Sequence, residues 1–428
     1  MKYSIITFGC RVNQADSLGF EEALRERGAV AAESPEQAEL VIINTCSVTA
    51  SADQGARQAA RRLARTNPDA QIVVTGCYAT RQPNEFHLLP NVLRVVPNDE
   101  KPRLVPLLSS DLGLTTAFRF GDGEGSCGAL IEPGIAGRTA FTLSVQTGCA
   151  QPCSYCIIPT TRGRPRSVAL HQVLSSVDRV VAAGFKEIAL SGVHLGSYGT
   201  DLNPDLSLFE LLRALDRFNS QNWIRSDVLF RISSLEPMDC TPEIVNLVAD
   251  SGRFAPHFHL PLQHASNRML ASMRRPYTIE DYGRLVNRIR ARMPNASIGS
   301  DVIVGFPGES EDDFAGLYSY LESSPLTHLH VFPYSDRPGT AATGMVGKVH
   351  GAVIRQRAAR IREIGRRLTL EFRESQVGTI HRGLTLEDGS LVVTGNYLKV
   401  RIPSGRPRND WVNILVTQAG ETMRGEIQ

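Results

Sequence analysis

The chain has 428 residues, 42% hydrophobic and 21% charged, with a formal net charge of +2. That balance excludes a disordered or low-complexity chain, and it leaves nucleic-acid binding to local basic patches rather than a global field. The length calls for two or three domains. No apolar run approaches about eighteen residues, and the opening MKYSIITFGCRVNQ carries no signal-peptide pattern, so the expected location is the cytoplasm, with no membrane association.

The first hundred residues alternate strand and helix patterns. YSIITF (3–8) is a short β-type run, and QADSLGFEEALRERG is helical and stops at Gly28. ELVIINT (39–45), the helical ADQGARQAARRLART and QIVVTG (71–76) follow. This alternation predicts a parallel α/β sheet over 1–112. Cys10, Cys46 and Cys77 each come just after a predicted strand, 36 and 31 residues apart. Strand ends share one edge of a parallel sheet, where open α/β sheets bind ligands, so the three thiols are expected to converge there. Residues 97–137 read as a connector rich in Pro and Gly, with the linker itself at 113–137 and Cys127 in it an incidental thiol.

Six strand-like runs start at 140, 187, 229, 257, 297 and 329, with helical stretches between them. They predict a partial (β/α)6 barrel over 138–367, whose chemistry sits at the C-terminal ends of its strands. His257 and His259 share one face of a strand and are expected to be packed or hydrogen-bonded. Cys240 reads as a structural thiol. A long basic helix (352–375) leads into short β runs, a small β-barrel over 368–428.

In a cytoplasmic chain, cysteines are metal ligands or catalytic groups more often than disulfides. TGCAQPCSYC places Cys149, Cys153 and Cys156 in a Cys-x3-Cys-x2-Cys loop just after the first barrel strand. No fourth Cys or His lies at a fitting local spacing; His171 and His194 are too far along the chain. The pattern favours a four-iron cluster with one open iron over zinc.

This loop resembles that of the radical S-adenosylmethionine superfamily. The resemblance implies that S-adenosylmethionine chelates the open iron, and that its one-electron cleavage yields a 5′-deoxyadenosyl radical. With TFGCRVNQADS, INTCSVTASADQGARQ and VTGCYA, nearly the whole chain is similar to the methylthiotransferases. In that family Cys10, Cys46 and Cys77 hold a second, auxiliary [4Fe-4S] cluster that carries the sulfur. The implied catalytic and metal-binding set is therefore all six cysteines, with two [4Fe-4S] clusters and S-adenosylmethionine as cofactors. The S-adenosylmethionine contacts implied by matching elements are Tyr155, Ser191, Gly192, Ser233, Glu236, Gly305 and Gly308.

The tail resembles the TRAM module, an RNA-binding β-barrel. Lys399, Arg401, Arg406 and Arg408 are expected to meet phosphates, and Tyr397 and Trp411 to stack on bases. The arginines of the preceding helix are expected in part to form salt bridges with the body.

NTCSVTASADQGARQ, RISSLEP and HVFPYSDRPGTAA look most like the branch acting on N6-threonylcarbamoyladenosine at position 37 of tRNA. His264 departs from that branch toward the one acting on an aspartate of a ribosomal protein. Isopentenyladenosine in tRNA is the third family substrate, and a non-catalytic, metal-binding RNA-binding protein is the competing class. The expected partners are a tRNA anticodon stem-loop, a flavodoxin- or ferredoxin-type electron donor and an unidentified sulfur donor. The chain is expected to be a monomer.

Overall fold

The structure is a computed structural model that describes residues 1–47, 50–112, 139–218 and 227–428. The linker expected over 113–137, with Cys127, lies outside the described residues. The chain divides into two compact units, one of Met1–Ile131, Thr147–Gln151 and Cys156–Pro165, the other of Glu132–Gln146, Pro152–Tyr155 and Arg166–Gln428.

In the first unit, β1 (Lys2–Thr7), β2 (Val30–Ala31), β3 (Leu40–Thr45), β4 (Gln71–Gly76) and β5 (Val92–Val96) form one parallel sheet in the order β2-β1-β3-β4-β5. Parallel strands covered on both faces are apolar throughout rather than alternating, and β3 is buried at every position. On one face α1 (Arg11–Arg25) and α5 (Leu104–Leu112) pack Phe20, Leu24, Leu104 and Leu108 against Leu40, Ile42 and Val73. On the other, α2 (Ala50–Thr66) sets Ala56, Ala60 and Leu63 on Val41, Ile43 and Val74. The short α3 (Cys77–Arg81) and α4 (Asn84–His87) lead from β4 to β5. Connections run outward on both sides of the β1/β3 boundary, the switch point where such sheets open a crevice.

Residues 97–112 are not the connector expected there. A 3-10 turn at Lys101–Arg103 runs into α5, which buries Leu104, Val105 and Leu108. Pro106 is harmless because it falls in the first turn, whose N–H groups have no helical acceptor.

Beyond β6 (Ala140–Ser144) and β7 (Gln146–Thr147) come the cysteine loop, α6 (Ile158–Arg162) and β8 (Arg166–Ser167). Strand–helix alternation then continues through α7 (Leu170–Ala182), β9 (Glu187–Ser191), α8 (Leu208–Arg217), β10 (Leu229–Ile232) and α9 (Pro242–Asp250). It goes on with β11 (His257–His259), α10 (Asn267–Ser272), α11 (Ile279–Arg292), β12 (Ser297–Val304), α12 (Glu311–Glu322), β13 (His328–Pro333) and α13 (Gly351–Glu374). In the second unit β6, β9 and β10 pair in parallel in that order, as do β11, β12 and β13. The two sheets meet where Ser234 bridges His259 and the Leu235 N–H donates to the His259 carbonyl at 2.9 Å. The result is an open six-stranded parallel arc, the partial (β/α)6 barrel.

The tail closes into a barrel of β14 (Ile380–Leu386), β15 (Leu391–Thr394), β16 (Lys399–Arg401), β17 (Trp411–Gln418) and β18 (Met423–Ile427), in the order β14-β15-β16-β18-β17. Val392, Val400, Val412, Ile414, Val416 and Met423 fill it, and Phe372 of α13 packs against that core. Closure leaves no open sheet edge.

Arg231 ties this barrel to the arc. It is fully buried in β10 and donates to Glu187 at 2.9 Å and to the carbonyls of Gly395 at 2.9 Å and Thr394 at 3.4 Å. Its guanidinium also lies 4.7 Å from the Tyr397 ring centroid. Removing one partner of a buried pair leaves an uncompensated charge, so Arg231→Ala is expected to cost about 3–5 kcal/mol. A urea titration should show a lowered midpoint, with the tail barrel becoming protease-sensitive first.

Candidate functional site

The first unit brings the auxiliary cysteines to one edge. Cys10 follows β1 and is the exposed N-cap of α1; Cys46 follows β3; Cys77 follows β4 and opens α3. These strands are neighbours, and Cys46 and Cys77 are each 2% exposed. Gly9, at φ +93°, lets Cys46 lie against the residue before Cys10, because any Cβ there would collide with the Cys46 sulfur.

A buried polar group surrounds these thiols. Arg162, at the end of α6 in the same unit, hydrogen-bonds Cys77 and lies beside Cys10. It donates to Asn13 Oδ1 at 2.5 Å and Asp16 Oδ2 at 3.2 Å. Lys101 donates to Asp16 at 2.6 Å, and Asn98 Nδ2 lies 3.6 Å from Cys77 Sγ. Burial opposes the charge on Arg162, but Cys77, Asp16 and Cys10 outweigh it and hold the guanidinium more firmly protonated. Burial pushes the Asp16 carboxyl up, yet Lys101 and Arg162 bring it below its ordinary value. Burial brings Lys101 down. A buried cation donating to a cysteine sulfur suits an anionic group held at that sulfur. Two buried strand-end thiols and one exposed one beside such a cation therefore fit an anionic iron–sulfur cluster.

Residues of the Cys-x3-Cys-x2-Cys loop belong to each unit. In the first, the Cys149 N–H donates to the Gly163 carbonyl at 3.0 Å, and the Gln151 N–H to Cys149 Sγ at 3.3 Å. Cys156 is half-buried. In the second, Ser154 donates from N to the Met273 carbonyl at 3.2 Å and from Oγ to the Ser272 carbonyl at 2.9 Å. Tyr155 packs on an apolar group of Met269, Met273, Ile303, Phe306 and Ala342.

Arg275 organises this part of the second unit. Its three nitrogens go to three partners: Nη1 to Cys153 Sγ at 3.2 Å, Nη2 to Glu236, and Nε to the Tyr277 hydroxyl at 3.2 Å. Burial opposes its charge, and Glu236 foremost, with Tyr155, Tyr277 and Cys153, outweighs that penalty. Burial also pushes the Tyr277 hydroxyl well up.

The other predicted contacts fall at strand ends of the arc. Ser191 ends β9 and Ser233 follows β10; both hydroxyl oxygens are buried without a hydrogen-bond partner among the described residues. Buried polar atoms are nearly always satisfied, so two orphaned hydroxyls there fit a polar cofactor such as S-adenosylmethionine. Gly192 faces Leu195 and Gln146, and Gly305 is backed by Ile354 of α13. Gly308 has open space at its Cα, while its N–H donates to the Gly347 carbonyl at 2.8 Å.

Several residues take structural tasks. His264 is fully buried, accepts from the Ser266 N–H at 3.0 Å and lies 3.5 Å from Glu309. Cys240 is buried and its thiol is pushed up to about 12, mainly by burial. His194 pairs with Asp239 at 2.8 Å, and His171 is exposed on α7. Arg357 pairs with Glu309 at 2.5 Å and Glu311 at 2.8 Å. The two aromatics expected to stack on bases also have partners within their own unit, and Tyr397 remains 44% exposed. Tyr397 packs on Arg231 and His257, and Trp411 donates to the Asp227 carbonyl at 2.8 Å under the Arg382 guanidinium. Lys399, Arg401 and Arg406 are exposed, whereas Arg408 is half-buried. Arg424, which the sequence reading passed over, is exposed in register with Arg401 and extends the basic row.

Sequence reasoning also missed Arg162, Asn98, Lys101 and Arg275. The one signal was position: Arg162 is the first of three arginines in TTRGRPRS, just past the cysteine loop, and Arg275 lies in MRRPY.

Known proteins agree with this anatomy. The family described as uncharacterized protein family UPF0004 matches residues 2–96, and the radical SAM superfamily matches 143–321. The threonylcarbamoyladenosine tRNA methylthiotransferase MtaB of Aquifex aeolicus (strain VF5) is 36% identical, covering 97% of this chain and 100% of its own. The protein of that name from Bacillus subtilis (strain 168) is 33% identical over 92% of this chain and 88% of its own. The tRNA-2-methylthio-N(6)-dimethylallyladenosine synthase of Acidothermus cellulolyticus is 30% identical over 97% and 86%. Among solved structures, the radical S-adenosylmethionine methyltransferase TsrM from Kitasatospora setae shares the fold, with TM-score 0.57 at 16% identity over 80% of this chain and 73% of that one. No helix among the described residues is long and apolar enough to cross a membrane. The chain belongs to the radical S-adenosylmethionine methylthiotransferase family, on the threonylcarbamoyladenosine tRNA methylthiotransferase branch.

Proposed function

We propose that this enzyme places a methylthio group on C2 of N6-threonylcarbamoyladenosine at position 37 of tRNA, in the cytoplasm and as a monomer. The observation that carries the chemistry is the pair of cysteine triads, each with its own buried arginine: Arg162 at Cys77 and Arg275 at Cys153. The relatives' names carry the substrate.

When bound, the two clusters and S-adenosylmethionine supply a carbon radical for the adenine C–H bond and the sulfur that replaces the hydrogen. Cys149, Cys153 and Cys156 hold the first cluster, and Arg275 fixes Cys153 while orienting Glu236. Tyr155 offers an aromatic wall for the adenine of S-adenosylmethionine. The Ser191 and Ser233 hydroxyls bind its polar groups, and Gly192, Gly305 and Gly308 shape the backbone around it. Cys10, Cys46 and Cys77 hold the auxiliary cluster. Lys399, Arg401 and Arg424 meet phosphates of the anticodon stem-loop and position it without reading sequence. A flavodoxin- or ferredoxin-type protein supplies electrons, and a separate donor supplies sulfur. The exposed basic row favours RNA over a ribosomal protein. His264 Nδ1 accepts from the Ser266 N–H, while its buried Nε2 lies 3.5 Å from Glu309 with no hydrogen bond among the described residues.

The test is mass spectrometry of tRNA nucleosides from cells lacking the protein, carrying it, or carrying its Cys149/Cys153/Cys156 triple-alanine form. Methylthio-threonylcarbamoyladenosine should appear only with the intact protein. A response of the isopentenyl nucleoside would move the enzyme to the other tRNA branch, and no tRNA change would end the tRNA reading. In vitro, Cys153→Ala is expected to abolish S-adenosylmethionine cleavage, whereas Cys46→Ala keeps cleavage and stops sulfur insertion.

A further inference from the structure

Strands β11, β12 and β13 carry a histidine–aspartate cluster that the proposed chemistry does not use. His259 Nε2 lies 2.8 Å and His330 Nδ1 3.1 Å from the same oxygen, Asp301 Oδ1, and the three donor atoms all fall within 4.8 Å of one another. Strand alternation sets the face. Ser300 turns toward α11, where the Tyr282 hydroxyl donates to it at 3.2 Å, so Asp301 turns to the opposite face.

Gly299, between His259 and His328 in the register, completes the arrangement. A Cβ at Gly299 would collide with His328 Nε2, so only glycine lets that imidazole lie across the strand. The His328 ring centroid is then 6.0 Å from that of His259 and 5.7 Å from that of His330. His257, on the same face of β11, lies 6.3 Å from His328. One carboxylate thus faces imidazoles, a donor set suited to borderline divalent ions.

We propose that His259, Asp301 and His330 form a binding site for one divalent first-row cation of the zinc class, with no cysteine among its ligands. Metal–ligand bonds of about 2.1 Å place neighbouring ligands ~3.0 Å apart in octahedral geometry, close to the 2.8 Å and 3.1 Å from Asp301 Oδ1 to the two imidazoles, whose own nitrogens lie within 4.8 Å of each other. Three protein ligands leave an open position, and the 59% exposure of the His330 side chain gives the ion a way in. The open position suits water or an oxygen of an anionic ligand.

The test is equilibrium dialysis of the anaerobic holoenzyme, both clusters loaded, against micromolar Zn2+, with zinc and iron counted per chain by elemental mass spectrometry. One zinc per chain with unchanged iron is expected. Asp301→Asn and, separately, His330→Gln should each weaken uptake at least tenfold, in line with the sensitivity of metal sites to their shells. His330 is exposed, so its substitution keeps the test open if the Asp301 variant fails to fold. Absence of zinc uptake, equal uptake by wild type and both variants, or zinc gained in step with iron lost would overturn the proposal.

Discussion

Arg162→Gln is expected to empty the auxiliary site while leaving the radical-generating one in place. Iron should fall from about eight per chain to about four, the content of one four-iron cluster. The reason is the position of the guanidinium. It is 4% exposed, hydrogen-bonded to Cys77, beside Cys10, and held by Asn13 and Asp16. Glutamine keeps one donor and removes the charge, so among the described residues Asp16 retains Lys101 as its one charged partner. Breaking such a buried set costs about 3–5 kcal/mol, enough to loosen the edge that carries all three thiols. Methylthio product should vanish while S-adenosylmethionine cleavage continues. Arg162→Lys separates positioning from bulk structure, because it keeps the charge and loses the planar fork. That variant should retain iron but show a shifted auxiliary-cluster midpoint in an EPR-monitored redox titration. An unchanged midpoint together with full iron in Arg162→Gln would refute the assignment.

How much of this was legible beforehand differs by element. The six strands of the arc and the three of the first sheet that precede cysteines could be read because each is a short apolar run with a helical pattern behind it. The strand-end positions of Cys10, Cys46 and Cys77 then followed from parallel topology alone. The segment 97–112 could not be read in this way. Its prolines look like breakers, and only the sheet's uncovered face, filled by Leu104 and Leu108, makes it a helix. That helix start also brings Asn98 and Lys101 to the thiols, and no spacing rule links them to Cys77. The tail shows a different limit. Tyr397 and Trp411 also hold partners, Arg231 and Asp227, that lie some 160 to 190 residues earlier in the chain and that no local pattern signals. A lone arginine inside LFRIS carries no sign that it reaches into another barrel. Arg275 hides similarly, as one of two adjacent arginines of which only the second turns inward: it is 7% exposed.

Arg275→Ala is expected to lower S-adenosylmethionine cleavage at least a hundredfold, about 3 kcal/mol of transition-state stabilisation. One guanidinium holds three groups that must stay in register: the Cys153 sulfur, the Glu236 carboxylate and the Tyr277 hydroxyl. Tyr277 itself reaches the carbonyls of Pro261 at 2.8 Å and Leu262 at 3.0 Å, which follow β11. Arg275 thus links the cysteine loop to two strand ends of the arc. Lysine carries the charge as a single point and cannot span these partners, so Arg275→Lys should rescue little. Glu236→Gln tests the same link from the other side, leaving the buried guanidinium without its main counter-charge. If the two residues act as one unit, the double variant should lose no more than the worse single one, a non-additivity that a double-mutant cycle reads directly. Iron and sulfide content decides the level of the defect. Loss of about half the iron places it in cluster assembly at Cys153, whereas full iron with lost cleavage places it in the orientation of Glu236. Full iron with wild-type cleavage in Arg275→Ala would leave Arg275 a packing residue only.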